Sequence, residues 1–180
     1  LKPLLKIDIK KIREWEEYYW RSCKKLITMS EDDKVFINQT IQDPDKIEVV
    51  SNGVDTDWFA QKKKQLPKDP TILSVGTFNW LPNVEAVKFL VNQVWPIVKK
   101  SLPQAKLWIV GNAPTKEVIE FQHKDKSITV TGGIPDIRDA FAGAHVLLAP
   151  VFSGKGTRYK ILEAMASHTP IVATHTAVEG

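Results

Sequence analysis

The apolar positions change period along the chain, and the change marks its organisation. Over residues 6–25, Ile12, Trp15, Tyr19 and Ser22/Cys23 recur every three or four positions among charged neighbours, which predicts an amphipathic helix. Residues 26–29 are a short apolar run ending at Ser30, which can cap a helix beginning Glu31-Asp32-Asp33, with acidic residues at the positive end of its dipole. Residues 47–50 read as a second short strand, and 51–55, with Gly53, as a turn. Residues 62–70 are polar and include Lys62-Lys63-Lys64 and Pro70, so a solvated linker is expected there, with a domain boundary near it.

Beyond the linker the pattern becomes regular. Residues 71–75, 106–110, 128–131, 145–150 and 171–174 are β-branched or continuously apolar, the signature of strands buried on both faces of a parallel sheet. Helical periodicity fills the gaps at 82–100, 115–122, 134–142 and 156–167. Strands alternating with helices form a βαβ series, and right-handed crossovers make it an α/β, Rossmann-like, doubly wound parallel sheet.

Composition narrows the class without changing this picture. The chain has 180 residues, 43% hydrophobic and 26% charged, which suits a folded globular protein and excludes a disordered one. Its net charge of +4 is compatible with anionic ligands but too small and too dispersed for a nucleic-acid footprint. Cys23 is the single cysteine, so no intrachain disulfide is available, no zinc framework is spelled out, and a reducing compartment fits best. No apolar run reaches the ~18 residues of a membrane span. Leu1-Lys2-Pro3 lacks an initiator Met or a signal pattern, and the chain stops soon after a strand-like run, so a piece of a longer protein is expected.

In an open α/β sheet, ligands bind beyond the carboxyl ends of the strands. Three such loops are read as candidates: the first with Gly76, the third with Gly132, Gly133 and Ile134, and the fourth with Gly154 and Gly156. The fourth also holds Lys155, Arg158 and Lys160 and runs into a helix, a combination that suits a diphosphate. It is neither a P-loop nor the dinucleotide fingerprint; the alternative is a strand–helix turn that uses glycine for geometry. On the helix that follows, Ile161, Leu162, Met165 and Ala166 share the arc expected to face the core, while Thr157, Lys160 and Glu163 share the opposite, exposed stripe. A carboxylate one to two turns beyond a phosphate site can accept hydrogen bonds from a ribose diol, which nominates Glu163; an ion pair with Lys160 on a solvated face is the alternative. Arg158 falls on the apolar arc by angle and must reach back to the phosphates or lie along the surface.

Other conspicuous residues have simpler readings. His123, His145, His168 and His175 are dispersed without ligand spacing, Trp95 and Trp108 sit in core patterns, and Asp136 and Asp139 complement a helix dipole. Trp80, in the first loop, is split between surface and cleft lining.

The motifs together resemble family 4 (group 1) glycosyltransferases, which have the two-domain GT-B fold. Residues 51–59 (SNGVDTDWF) are similar to the segment that opens the family's donor-binding domain, while 75–83 (VGTFNWLPN) and 153–166 (SGKGTRYKILEAMA) resemble a subgroup of bacterial surface-glycan enzymes. The resemblance implies that residues 1–60 are the end of the acceptor-side N-terminal α/β domain together with the linker, and 61–180 the donor-binding C-terminal Rossmann domain of a GT-B enzyme, expected to be truncated at its C-terminus. It implies sugar transfer from a nucleotide-diphosphate-sugar donor to a glycan or lipid-linked acceptor, with retention, as in exopolysaccharide synthesis, and without a metal or other cofactor. The expected location is cytoplasmic, with room for peripheral association at the inner membrane face. On this chain Glu163 becomes the ribose ligand, and the base lies near Gly133 and Ile134. The loop with Gly154, Gly156 and Thr157 becomes the diphosphate site, with Lys155, Arg158 and Lys160 offsetting leaving-group charge; Gly76 lines the donor site. Much of the family has a Glu where this chain has Lys155, a departure that the resembling subgroup shares. A nucleotide-sugar epimerase of the same fold and a non-catalytic nucleotide-sugar-binding module are the alternatives, and a fragment alone is expected to be inactive.

Overall fold

A computed structural model describes residues 2–154 and 156–179. The chain divides into two compact units, one ending at Asn52 and the other spanning Gly53–Glu179.

The first unit contains helix α1 (Lys2–Ser22), strand β1 (Leu26–Thr28), helix α2 (Glu31–Ile41) and strand β2 (Ile47–Val49). β1 and β2 pair in parallel, with Leu26 opposite Ile47. Ser30 caps α2 by accepting the Asp33 N–H at 3.2 Å, and Glu31, Asp32 and Asp33 occupy the first turn. Lys25 and Glu48 pair at 2.9 Å in the open. Trp15 and Tyr19 lie on one face of α1 as the spacing predicts, and their rings stack 5.8 Å apart.

The second unit begins with helix α3 (Thr56–Ala60) and continues as β3 (Thr71–Val75), α4 (Leu81–Phe89), a π turn (Leu90–Val94), α5 (Trp95–Ser101), β4 (Lys106–Val110), α6 (Lys116–Lys124), β5 (Ile128–Thr131), α7 (Ile137–Ala142), β6 (Val146–Ala149), α8 (Tyr159–Ala166) and β7 (Ile171–Ala173). All five strands of its sheet are parallel, in the order β5-β4-β3-β6-β7. Strand order therefore reverses between β3 and β6, the arrangement of a doubly wound Rossmann-like sheet. Alternate residues of each inner strand serve opposite faces. Leu73 and Val110 join a core with Phe59, Phe141, Ile161 and Ala164, whereas Ile72, Leu107 and Ile109 join one with Val87, Leu90, Trp95, Val118 and Phe121. Helices α3, α7 and α8 thus cover one face, and α4, α5 and α6 the other.

Residues 63–68 are exposed, as a solvated connector requires, but two of its lysines are anchored at their heads. Lys62 pairs with Asp139, and with Asp136 at 3.6 Å, while Lys64 donates to the Phe141 carbonyl at 2.8 Å and to Thr169 Oγ1. Carbonyl and carboxylate acceptors on α7 turn a lysine run into a strap. The short segment after Gly53 packs within the second unit: Phe59 is buried edge-on against Phe141 with centroids 6.2 Å apart, and Arg138 lies 3.9 Å over the Trp58 ring. Asp55 caps this short segment through the Trp58 N–H.

Removing the Phe59 ring leaves a cavity in the core shared by α3, α7 and α8. Phe59→Ala is expected to cost about 3–5 kcal/mol, read as a lower urea midpoint for the transition of the second unit; a change below about 0.5 kcal/mol would place the segment outside that core.

Candidate functional site

The strand ends open onto one cleft of about 590 Å³ within the second unit. Its position follows from topology: the chain leaves β3 and β6 in opposite directions, and the two loops part to expose the sheet edge. Gly76, Thr77 and Trp80 come from the loop after β3, Gly111 and Asn112 from that after β4, Gly133 and Ile134 from that after β5, and Gly154 and Thr157 from that after β6. Arg158, Tyr159, Lys160 and Glu163 line it from the start of α8.

The walls are held close by backbone contacts. Gly76 N–H donates to the Val110 carbonyl at 3.0 Å and Phe78 N–H to the Asn112 carbonyl at 2.9 Å, stitching the first two loops together. Gly111 has φ +152°, and a Cβ there would lie 1.6 Å from the Gly76 carbonyl oxygen, so no other residue fits. Gly154 and Gly156 both take φ +90°, which lets the fourth loop turn back towards α8. Arg158 closes that turn, its guanidinium donating to the Gly154 carbonyl at 2.7 Å and to the Gly156 carbonyl. α8 begins at Tyr159 without a side-chain cap hydrogen bond, with Arg158 in the capping position.

Lys160 and Glu163 do not form the exposed stripe that helical angle predicts. Both are partly buried and face the cleft, because Asn83 of α4 and the loop after β3 stand over that side of α8. Lys160 Nζ donates to Asn83 Oδ1 at 2.9 Å. Burial, reinforced by Arg158 and opposed by Glu163, lowers the Lys160 ammonium to about 8. Burial raises the Glu163 carboxyl above its ordinary value, against the pull of Lys160. On the core side, Ile161 and Ala164 are buried, whereas Met165 points outward; α3 packs on α8 and shifts the buried arc by about one position.

The structure thus gathers Gly76, Gly133, Ile134, Gly154, Thr157, Arg158, Lys160 and Glu163 around one cleft. Gly156 shapes the loop but is not among the lining residues, and Lys155 lies outside the described residues. Trp80 lines the rim and is 61% exposed, which resolves its two readings in favour of the cleft. Trp95 is core, donating Nε1–H to Asp125 at 3.0 Å, and His145 accepts the Thr71 N–H at 3.0 Å between strands. Sequence reasoning missed Gly111, Asn112 and Asn83. The first two follow β4 directly, so the strand-end rule reaches them when applied to every strand; Asn83 carries no local signal, because its role depends on Lys160, far away in sequence.

The family model described as "Glycosyl transferases group 1" matches residues 69–180. The UDP-Gal:alpha-D-GlcNAc-diphosphoundecaprenol alpha-1,3-galactosyltransferase of Escherichia coli is 23% identical over an alignment that covers 93% of this chain and 47% of that protein. A glycosyltransferase structure from Rickettsia africae superposes with a TM-score of 0.70 at 19% identity, covering 91% of this chain and 48% of the other. Alr3699/HepE of Anabaena, solved in complex with UDP and glucose, superposes with a TM-score of 0.64 at 16% identity over 88% and 45%. This chain spans less than half the length of each of these three proteins.

The lowered Lys160 ammonium has a consequence for stability. The folded state disfavours the charged lysine, so the penalty is complete below about 8 and fades as pH rises towards the ordinary 10.5, where the unfolded chain also loses the proton. Lys160→Met is therefore expected to stabilise the second unit at pH 7 by on the order of 1–3 kcal/mol, with the gain shrinking by pH 10; thermal unfolding at both pH values reads it, and a variant no more stable than wild type at pH 7 would contradict the burial of the charge.

Proposed function

The chain belongs to the group 1 glycosyl transferases, and its second unit has the parallel-sheet architecture of their GT-B fold; from that premise we propose that its cleft binds a nucleotide-diphosphate sugar whose sugar the full-length protein transfers to a glycan or lipid-linked acceptor. The observation that carries the reading is the convergence of Thr157, Arg158, Lys160 and Glu163 in a cleft at the reversal of strand order. The diphosphate lies at the loop after β6 and the start of α8, where the helix dipole and the Lys160 cation favour negative charge. Glu163, about one turn further along, accepts the ribose hydroxyls. The base occupies the side of the cleft near Gly133 and Ile134.

As the glycosidic bond breaks, negative charge grows on the leaving diphosphate, and Lys160 and Arg158 are the preorganised cations that stabilise it. Lys155 joins them on sequence grounds. In this scheme no metal is needed, transfer proceeds with retention, and the acceptor hydroxyl is brought by parts of the full-length protein beyond the second unit. The named relatives support the substrate classes: one carries UDP-Gal and a diphosphoundecaprenol-linked sugar in its name, and another was solved with UDP and glucose. The setting is surface-glycan synthesis at the cytoplasmic side, with peripheral membrane contact allowed.

Thermal shift of the full-length protein against UDP-, GDP- and ADP-sugars identifies the donor, because a ligand that binds only the folded state raises stability by RT ln(1 + [L]/Kd). Glu163→Ala is expected to weaken that donor at least about tenfold, measured by calorimetry; unchanged affinity would remove Glu163 from the ribose site. Binding requires Glu163 ionised and Lys160 protonated, so affinity is expected to fall on the acid side and again above about pH 8. Transfer is expected to persist in excess EDTA, and loss of activity restored by a divalent cation would overturn the metal-free scheme.

A further inference from the structure

Among the described residues, Lys160 Nζ donates to the side chain of Asn83, on a different element. Asn83 sits in the first turn of α4, and its backbone N–H is already used on the Trp80 carbonyl at 3.0 Å. Its side-chain amide bridges two partners: Nδ2 donates to the Thr77 carbonyl at 2.9 Å, and Oδ1 accepts from Lys160 Nζ at 2.9 Å. The orientation of the amide is dictated by those partners, since a carbonyl can only accept and an ammonium can only donate. Gly76 leaves the room for it: a Cβ at that position would lie 2.9 Å from Asn83 Cγ.

The choice of an amide matters for anion binding. A carboxylate at this place would neutralise the lysine and compete with any bound phosphate, whereas an apolar side chain would leave the ammonium unsatisfied and swinging. The amide fixes one of three N–H donors and leaves the net positive charge intact. The titratable groups lining the cleft are Arg158, Tyr159, Lys160 and Glu163, all on α8 or its lead-in, and the segment packed over Lys160, residues 76–83, contributes none. Asn83 is thus the neutral partner that reaches Lys160 from outside its own segment.

We infer that Asn83 is a positioning residue that clamps the Lys160 ammonium against the loop after β3, so that its remaining donors face the diphosphate. This rests on the donor reading above. It also couples two walls of the cleft, because any movement of the loop after β3 carries the cation with it.

The test reads the protonation of Lys160 directly. In full-length protein with ¹³Cε-labelled lysine, the Lys160 resonance is assigned by its loss in Lys160→Arg and titrated without ligand, while affinities for UDP, GDP and ADP are measured across the same pH range. The Lys160 midpoint near 8 is expected to fall by on the order of one unit in Asn83→Ala, which removes an acceptor from the charged form, and to rise in Asn83→Asp, which adds a counter-charge. The alkaline limb of nucleotide affinity is expected to move in the same opposite directions, with Asn83→Asp binding at least tenfold more weakly at pH 7. A Lys160 midpoint that neither variant moves, or moves the same way in both, overturns the clamp, including when affinity falls equally in both. Opposite Lys160 shifts in the two variants, together with a wild-type protein that binds none of the three nucleotides, would instead leave the clamp standing and overturn the donor reading.

Discussion

A sheet whose strands all run one way has a single edge at which every strand delivers its chain to the next helix, and that polarity governs the rest of this molecule. In the second unit the order β5-β4-β3-β6-β7 sends the chain left after β3 and right after β6. The loops on either side of the reversal cannot cover the edge between them, so a crevice opens there for topological reasons before any side chain is chosen. Close backbone approach then shapes it. The Gly111–Gly76 contact pulls the loop after β4 under the loop after β3, and the paired positive-φ glycines fold the loop after β6 back towards α8.

The crevice is furnished at some expense to the fold. Lys160 is a cation partly removed from water, and Glu163, on the same helix, is pushed towards its neutral form by the same burial. Neither satisfies the other through a close ion pair: Lys160 donates to the Asn83 amide instead. A partly desolvated positive charge at the positive end of a helix dipole favours an anion beside it. The same arrangement explains why the loop lysine strap matters less for chemistry than for architecture. Lys62 pairs with carboxylates of α7 and its N-cap, and Lys64 donates to the Phe141 carbonyl and Thr169, so both ammonium groups are engaged within the fold.

Much of the fold was legible in the chain's hydrophobic pattern. β3, β4 and β5 coincide with the β-branched or apolar runs that predict them, because those runs are bounded by turn-forming residues on either side. Helix starts were less legible: the third crossover helix begins at Ile137, three positions after its apolar pattern, because Asp136 caps it through the Arg138 N–H and Gly133-Ile134 are needed at the cleft. Expectations failed where a distant partner decides. The Lys62 and Lys64 heads look free until α7 supplies carboxylates and a carbonyl, and Met165 looks buried until α3 packs on α8 and the inward face falls to Ile161 and Ala164. For the site, the glycines and the Thr157–Glu163 stretch announced themselves by spacing, and the resemblance to a glycosyltransferase family added roles to them. Asn83 did not, because its meaning lies in a bond to a residue 77 positions away.

On the function proposed above, the start of α8 holds a sugar nucleotide's diphosphate with Glu163 on the ribose. A crystal structure of the full-length protein soaked with the nucleoside diphosphate that stabilises it would show this. Phosphate density is expected between the loop after β6 and Lys160, with the ribose hydroxyls within about 3 Å of the Glu163 carboxylate. A nucleotide bound in the cleft in the reverse orientation, with its base at α8 and its phosphates near Gly133, or bound elsewhere on the protein, would contradict it.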